Sequence, residues 1–366
     1  MTELEQKILE AQDAYYNGNP IMSDGDFDEL WDKLKAEQPD SELLTEVGAD
    51  HTDGFPKVKH GMIMGSQEKA NTEDEMAAWL SKLSDPNKIG QFKMDGCSLA
   101  LYYKDGKFYQ AVTRGDGSEG DDITSNVLKM NGVVKELTTK PSFTGTIRGE
   151  VLISRENKDK YYPEKANCRN TASGIMKHLD GEGCEHLDVV VYDAQSLDGE
   201  NTFMFQPVLQ TWLKDEGFIV ADWKMFPNLS AKEAMAYLTE VFNNFDNLKY
   251  DIDGIVWKQN EIDIEDFKTN YRPKTNIALK PARTYAETVV TDITWGCKNG
   301  TYTPVAVYAP TKLNGATNTH ASLSNVDLME KLGVEIGHRI EIVKAGLIIP
   351  KITKDLDTGK FVEGYY

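Results

Sequence analysis

The stretch Gln91-Phe-Lys-Met-Asp-Gly-Cys-Ser-Leu-Ala100 constrains this chain more than any other. It has the period-two alternation of a strand, with Phe92 and Met94 on one face and Lys93 and Asp95 on the other. A lysine and a carboxylate side by side form a local charge pair, and Gly96 beside them lets a bulky ligand approach the backbone. A solvated strand end turning at Gly96 would read the same way, so the stretch takes its meaning from its surroundings. Those surroundings are β-rich. Strands are expected at 89–94, 98–104 and 107–113, the last two joined by a Lys104-Asp-Gly turn.

At 366 residues the chain exceeds one ordinary core, so two or three domains of roughly 100–200 residues are expected. No apolar run approaches the ~18 residues of a membrane span, and the polar, acidic N-terminus does not resemble a signal peptide. An intracellular, cytoplasmic protein with no membrane partner is the expectation. Cys97, Cys168, Cys184 and Cys297 form no Cys-x-x-Cys pair, and no histidine completes a zinc site, so all four read as reduced thiols. None of the six histidines is assigned a role. The net charge of −19 argues against a protein that simply coats nucleic acid. The charge is uneven: residues 1–60 carry 15 acids and 5 bases, residues 61–282 carry 35 and 26, and residues 283–366 carry 9 and 9. Nucleic acid, if bound, should touch the neutral C-terminal part and basic spots on the middle part.

The spacing divides the chain into residues 1–60, 61–282 and 283–366. The first is a helical hairpin with a linker. Leu4, Ile8, Ala11 and Tyr15 predict a helix over 3–16, and Phe27, Leu30, Trp31 and Leu34 a second over 24–37, with Ser23 as its N-cap. In the middle part a helix is expected over 73–83. The segment 113–120, Thr-Arg-Gly-Asp-Gly-Ser-Glu-Gly, is either a glycine-rich loop offering N–H groups and Arg114 to an anion, or a polar hairpin tip. Strands at 145–153, 187–192, 250–258 and 277–280 and helices at 207–217 and 231–245 complete this part. The last part has short strands at 287–295, 303–308, 338–344 and 347–353 and a helix near 325–332. Many short strands and one helix suit a small closed barrel of the OB type. The fold class expected is α+β.

Six polar positions fall on strand or loop ends of the middle part: Lys93-x-Asp-Gly, Arg114, Arg148-Gly-Glu150, Arg169, Asp253-Gly with Lys258, and Lys280. Their order resembles the covalent nucleotidyltransferases, the superfamily of DNA ligases, RNA ligases and capping enzymes. The closer resemblance is to the NAD-dependent DNA ligases. It rests on the segments 111–126 (Ala-Val-Thr-Arg-Gly-Asp-Gly-Ser-Glu-Gly onward), 167–174 (Asn-Cys-Arg-Asn-Thr-Ala-Ser-Gly), and 303–307 with 344–351 in the barrel. Tyr15-Tyr16 followed by Ser23-Asp24 and Asp28 resembles the N-terminal module of that class. The resemblance runs from about residue 3 to 353.

That resemblance implies an N-terminal module, a nucleotidyltransferase (adenylation) domain of antiparallel sheets with helices, and an OB-fold barrel. It implies NAD and Mg2+ as cofactors and nicked duplex DNA as substrate. Lys93 is then the nucleophile, forming lysyl-AMP with release of nicotinamide mononucleotide. Transfer of AMP to the 5′-phosphate and sealing follow, with release of AMP. Catalytic roles fall to Lys93, Asp95, Arg114, Glu150, Asp253, Lys258 and Lys280. Glu150 would bind the adenosine ribose, Ser66 and Gln91 the adenine end, and Tyr15, Tyr16, Asp24 and Asp28 the nicotinamide half. Glu150 and Asp253 would lie nearest the metal, and Arg169, Lys177 and Lys344 would meet DNA. Lys280, Lys258 and Arg169 are expected to lower the pKa of Lys93.

Five positions depart from the family pattern: Gln91 for a glutamate, whose oxygen still accepts from an adenine amino group; Phe27 for a tyrosine; Gln67 for a leucine; Phe245 for an arginine; and Lys177 for an arginine. Cellular members continue past the barrel into a zinc finger, helix-hairpin-helix repeats and a terminal BRCT domain. The expectation is therefore a minimal enzyme of virus or phage type, a fragment, or a subunit whose partner supplies those parts. Two alternatives stand beside this reading: an ATP- or GTP-using nucleotidyltransferase acting on RNA ends, and a catalytically silent DNA-binding scaffold.

Overall fold

The computed structural model describes residues 2–16, 21–22, 30, 33–34, 37–38, 41, 43, 54–163, 165, 167–199, 202–281, 283–298, 301–313, 316–323, 326–345 and 350–361. In chain order its elements begin with α1 (Glu3–Tyr16), β1 (Lys57–Lys59), β2 (Glu68–Ala70), α2 (Glu73–Leu80), β3 (Lys88–Met94), β4 (Cys97–Lys104), β5 (Lys107–Thr113), β6 (Glu119–Asp121) and α3 (Thr124–Val127). They continue with β7 (Gly145–Ile153), α4 (Arg155–Tyr161), α5 (Cys168–Met176), β8 (Leu187–Ser196), α6 (Gln206–Asp215), β9 (Ile219–Val220), β10 (Trp223–Phe226), α7 (Ala231–Asn243), β11 (Ile252–Gln259), α8 (Ile264–Thr269) and β12 (Asn276–Leu279). The last are β13 (Arg283–Lys298), β14 (Thr301–Leu313), β15 (Ala316–Ser322), α9 (Val326–Leu332), β16 (Arg339–Ala345) and β17 (Lys351–Asp355). The elements form two compact units. One is Ala49–Glu240 with Phe245–Lys280; the other is Met1–Gly48, Val241–Asn244 and Pro281–Tyr366.

The larger unit holds two five-stranded sheets, ordered β10-β3-β11-β12-β2 and β5-β4-β7-β8-β9. Most pairs are antiparallel, but β12–β2 and β8–β9 are parallel. Alternation explains how the second sheet is buried. Leu99, Leu101 and Tyr103 of β4, Ile147, Val151 and Ile153 of β7, and Leu187, Val189 and Val191 of β8 turn one way. They pack with Ala172, Ile175 and Met176 of α5 and Leu209, Trp212 and Leu213 of α6. Each fully buried side chain contributes about 1.5–3 kcal/mol, so this face is the unit's main anchor. The other face, carrying Ser98, Ala100 and Tyr102, Arg148 and Glu150, is left for polar work.

β8 runs four residues beyond the expected 187–192. A bulge lies within the extension, because the β7–β8 register shifts between Arg148 and Gly149. Val191 still faces the core, and so does Ala194 three residues later. Alternation alone turns Tyr192 away from the core, and the bulge sends the next residue, Asp193, the same way, opposite Arg148.

In the smaller unit, α1 buries Ile8, which clusters with Leu34 and Leu43. Residues 24–29, and with them Asp24, Phe27 and Asp28, lie outside the described residues, as do the side chains of Tyr15, Tyr16 and Lys344. The C-terminal strands close a barrel in the order β13-β14-β15-β17-β16. Its interior is Val290, Ala306, Tyr308, Ala321, Ile340, Ile342 and Ile352, plugged by Leu328 and Leu332 of α9. The strand at 316–322 is one that no expected range covered. Its Thr, Asn and His residues lack the apolar alternation that marks a strand.

Candidate active site

β3 and β11 lie side by side, with Lys93 opposite Gly254. The register shifts between Ile252 and Gly254, which makes Asp253 the extra residue of a β-bulge. Strict alternation would send Asp253 the way of Ile255 and Trp257, which are fully buried core. The bulge turns it to the side of Lys93 instead. Lys93 Nζ sits 3.0 Å from both Asp253 oxygens and donates to Oδ2; Oδ1, though as close, lies outside hydrogen-bonding geometry and has no such bond. Lys280 Nζ, just past β12, donates to the same Oδ2 at 2.8 Å. One carboxylate thus bridges two lysines.

This arrangement reverses the expected effect on Lys93. Burial pushes the amine's pKa down, but Asp253, aided by Glu150 and Asp95, outweighs it and holds the pKa above the ordinary lysine value. The three cations expected to lower it are engaged elsewhere. Lys280 shares Asp253, Arg169 Nη1 donates to Asp95 Oδ1 at 3.0 Å, and Lys258 is opposite Ile89, four strand positions from the Lys93 level. Asp253, despite burial, is driven far below the usual carboxylate range by Lys280 and Lys93.

Across from β3, Glu150 on β7 accepts from Ser98 Oγ at 2.8 Å and from Tyr192 Oη at 3.4 Å. Burial raises its pKa, against the pull of Ser98, Lys93, Arg169 and Arg114. Asp253 Oδ1, buried without a hydrogen bond, and the nearby Glu150 carboxylate fit a magnesium ion, which takes one or two carboxylates and completes its shell with water and phosphate. Among the described residues no cluster of three such side chains exists to cage a metal.

A second group lies farther along the same strands. Lys258 is 3% exposed, donates to the Tyr192 carbonyl at 2.9 Å and lies 5.7 Å from the Tyr192 ring. Burial brings its pKa down to about 8, with Asp193 opposing and Arg148 assisting. Gln91, 1% exposed, bonds to Gln210 of α6. Tyr192 keeps its proton, its pKa raised by burial and by Glu150.

A third group surrounds the segment 113–120. Asp116 Oδ1 accepts from the backbone N–H groups of Ser118 and Glu119 and from Ser118 Oγ, each at 2.8 Å. The N–H groups of Asp116 and Gly117 bond to Glu119 and Arg114 carbonyls. The loop satisfies its own donors from 116 to 119, which removes the anion cradle and leaves the Arg114 side chain as its contribution. Arg114 donates from Nε to the Met64 carbonyl at 3.2 Å and from Nη2 to Tyr271 Oη at 2.8 Å. Tyr271 also accepts from the Ser66 N–H, and a Cβ on Gly65 would stand 1.9 Å from its carbonyl oxygen. Below the loop, His60 Nε2 donates to the carbonyls of Thr113 and Arg114, so Nδ1 must accept from Tyr102 Oη at 2.8 Å.

The fold therefore gathers Lys93, Asp253, Lys280, Glu150, Asp95 and Arg169 into one polar group, Gln91 and Lys258 into a second linked through Gln210 and the Tyr192 carbonyl, and Ser66 with Arg114 into a third. Lys177 caps the C-terminus of α5. Tyr192, Gln210, Tyr271 and His60 carried no signal in the sequence. Tyr192 ends an apolar run, and the others are single polar residues whose partners lie far away along the chain. At two of the departures the structure shows the consequence. The Phe245 ring lies 4.2 Å from the Arg155 guanidinium, which donates to Asp251 Oδ1 and to the Phe245 carbonyl. Gln67 Oε1 is buried without a hydrogen bond. Cys97, Cys168 and Cys184 are buried and in no disulfide.

Comparison with known proteins identifies a family. Residues 52–282 match the family model of the NAD-dependent DNA ligase adenylation domain, and residues 287–360 that of the NAD-dependent DNA ligase OB-fold domain. A DNA ligase of Treponema denticola is 43% identical over 364 residues, 96% of this chain and 56% of that protein. One from Treponema pallidum is 39% identical over 362 residues, covering 96% and 44%. The chain spans about half the length of these curated relatives. Among solved structures, the ATP-dependent DNA ligase of bacteriophage T7 in complex with ATP overlaps 80% of this chain and 98% of its own, at 12% identity and a TM-score of 0.41. The adenylation-domain match alone covers more than half of the sequence, and with the barrel match it makes this chain a member of the NAD-dependent DNA ligase family.

Proposed function

We propose that this chain is the catalytic core of an NAD-dependent, nick-sealing DNA ligase acting in the cytoplasm. It is organised as a nicotinamide-binding module over residues 1–60, an adenylation domain over 61–282 and an OB-fold domain over 283–366. The observation that carries the reading is the Lys93–Asp253–Lys280 bridge beside Glu150, inside the segment that matches the adenylation family. Lys93 Nζ is the nucleophile. It loses its proton, bonds to the adenylyl phosphorus of NAD and displaces nicotinamide mononucleotide. In the resting arrangement Asp253 holds that amine protonated. Attack therefore requires Asp253 to be drawn to another cation, and Lys280 is already bonded to it. Asp253 and Glu150 are the residues to hold Mg2+, which would supply positive charge for that purpose and for the phosphate oxygens. Lys280 and Arg114 stabilise charge on the phosphate. Glu150 binds ribose hydroxyls, while Ser66, Gln91 and Lys258 line the adenine end. Asp95 positions Arg169, which with Lys177 and Lys344 contacts the nicked duplex. Tyr15, Tyr16, Asp24 and Asp28 hold the nicotinamide half. The sealing assay below is run with this chain alone, and failure to seal after adenylation would call for a second subunit that supplies domains found in longer relatives.

The test is intact mass. Protein freed of AMP is incubated with NAD and magnesium, and in parallel with ATP. A gain of one AMP from NAD alone, lost on addition of nicked DNA with appearance of sealed product, is expected. Lys93→Ala should fold and gain nothing. Adenylation of that variant, or labelling by ATP in place of NAD, would overturn the assignment.

A further inference from the structure

Gln91 lies on β3, nearly fully buried, and its amide could in principle point either way. The structure fixes the direction through a chain of bonds that ends on backbone carbonyls, which can only accept. Gln210, fully buried on α6, donates from Nε2 to the Tyr192 carbonyl at 3.0 Å, with Gln206 Oε1 3.5 Å from the same nitrogen. Its oxygen must then face Gln91. Gln91 Nε2 accordingly donates to Gln210 Oε1 at 2.9 Å and approaches the Ala221 carbonyl at 3.5 Å. Both amide nitrogens are committed. Gln91 Oε1 has no hydrogen-bond partner among the described residues. It is the atom left for a ligand, on the face of β3 that also carries Lys93.

We propose that Gln210 is a positioning residue that locks the Gln91 amide with its oxygen toward the base. It thereby makes the pocket select a purine bearing an amino group at C6 over one bearing a carbonyl there. The inference rests on the proposed NAD-dependent adenylation. A glutamate at position 91 would need no such lock, since both its oxygens accept. A glutamine without the lock turns over and offers a donor to a carbonyl base. Specificity at this site therefore resides in a pair of residues 119 positions apart. A site built around a hydrogen bond discriminates because the wrong partner leaves a buried polar group unpaired.

The experiment measures adenylation of Lys93 with NAD and inosinylation with nicotinamide hypoxanthine dinucleotide, by intact mass against time. The readout is the ratio of kcat/KM for the two donors. Wild type should favour NAD. Gln210→Leu and Gln210→Met, which keep the volume and remove the lock, should narrow that ratio by roughly tenfold, the worth of one buried hydrogen bond. Adding Gln91→Glu to either should restore discrimination, because a carboxylate has no donor to present. If both single variants lose rate equally with the two donors, leaving the ratio unchanged, Gln210 is merely structural and the inference falls. If neither variant folds, the ratio is read on Gln210→Glu, which keeps the acceptor for Gln91 and should leave discrimination intact; a collapsed ratio there also overturns the inference. Wild type that takes no nucleotide from NAD overturns the functional reading beneath it, which distinguishes the two failures.

Discussion

Lys258 shows what burial does to a single charge. Its folded pKa of about 8 lies below the unfolded value of 10.5, so between these two the unfolded chain binds the extra proton. Stability therefore rises with pH through that window, and at neutral pH the buried ammonium costs on the order of 3 kcal/mol. Lys258→Met should raise stability to chemical denaturation by about that amount at pH 7 and lose the advantage as pH approaches 10.5. Its adenylation rate should fall. A stability gain that stays constant across the pH series would show that buried charge is not the cause. Lys93 is the opposite case. Burial opposes its charge, yet the Asp253 carboxylate overrides burial and favours the charged amine. Two lysines on one sheet face are thus tuned in opposite directions: the carboxylates around Lys93 outweigh burial, whereas at Lys258 burial prevails over Asp193.

At the scale of elements, bulges and loop stitches do the aiming. The bulge at Asp253 turns a carboxylate from the core side to the lysine side, and the bulge in β8 does the same for Asp193. Tyr271 joins the Arg114 loop to the segment 64–66 through its hydroxyl, its carbonyl and the close approach of Gly65. These contacts separate by substitution. Tyr271→Phe removes an acceptor from Arg114 and should slow adenylation roughly tenfold with little change in melting temperature. Gly65→Ala would place a methyl group 1.9 Å from the Tyr271 oxygen and should lower the melting temperature as well as the rate. If Tyr271→Phe adenylates at the wild-type rate, Arg114 does not depend on that hydroxyl.

For the whole molecule, the larger unit carries Lys93, Asp253 and Lys280, and the smaller carries the residues that the proposal assigns to the nicotinamide half of NAD. Asp28→Ala should impair reaction with NAD and spare sealing of a pre-adenylated nick, measured on the same preparation. Equal loss in both assays would remove the nicotinamide-binding role from residues 1–60. No helix among the described residues is long and apolar enough to cross a membrane.

The sequence by itself determined the composition of the site and the strand periodicity that carries it. Lys93-x-Asp-Gly, Arg148-Gly-Glu150, Asp253-Gly and Lys280 are local patterns, and alternation along β3, β4, β5 and β7 is a local property. Their order along the chain was enough to indicate the family. The same sequence could not show which way Asp253 and Asp193 face, because a bulge is a mismatch between two strands and exists only once they pair. Nor could it give the sign of the Lys93 shift, the self-satisfied bonds of the 113–120 loop, or the direction of the Gln91 amide. Each of these is set by a partner brought within about 3 Å from a distant part of the chain or from across a turn, and such distances arise only from tertiary packing.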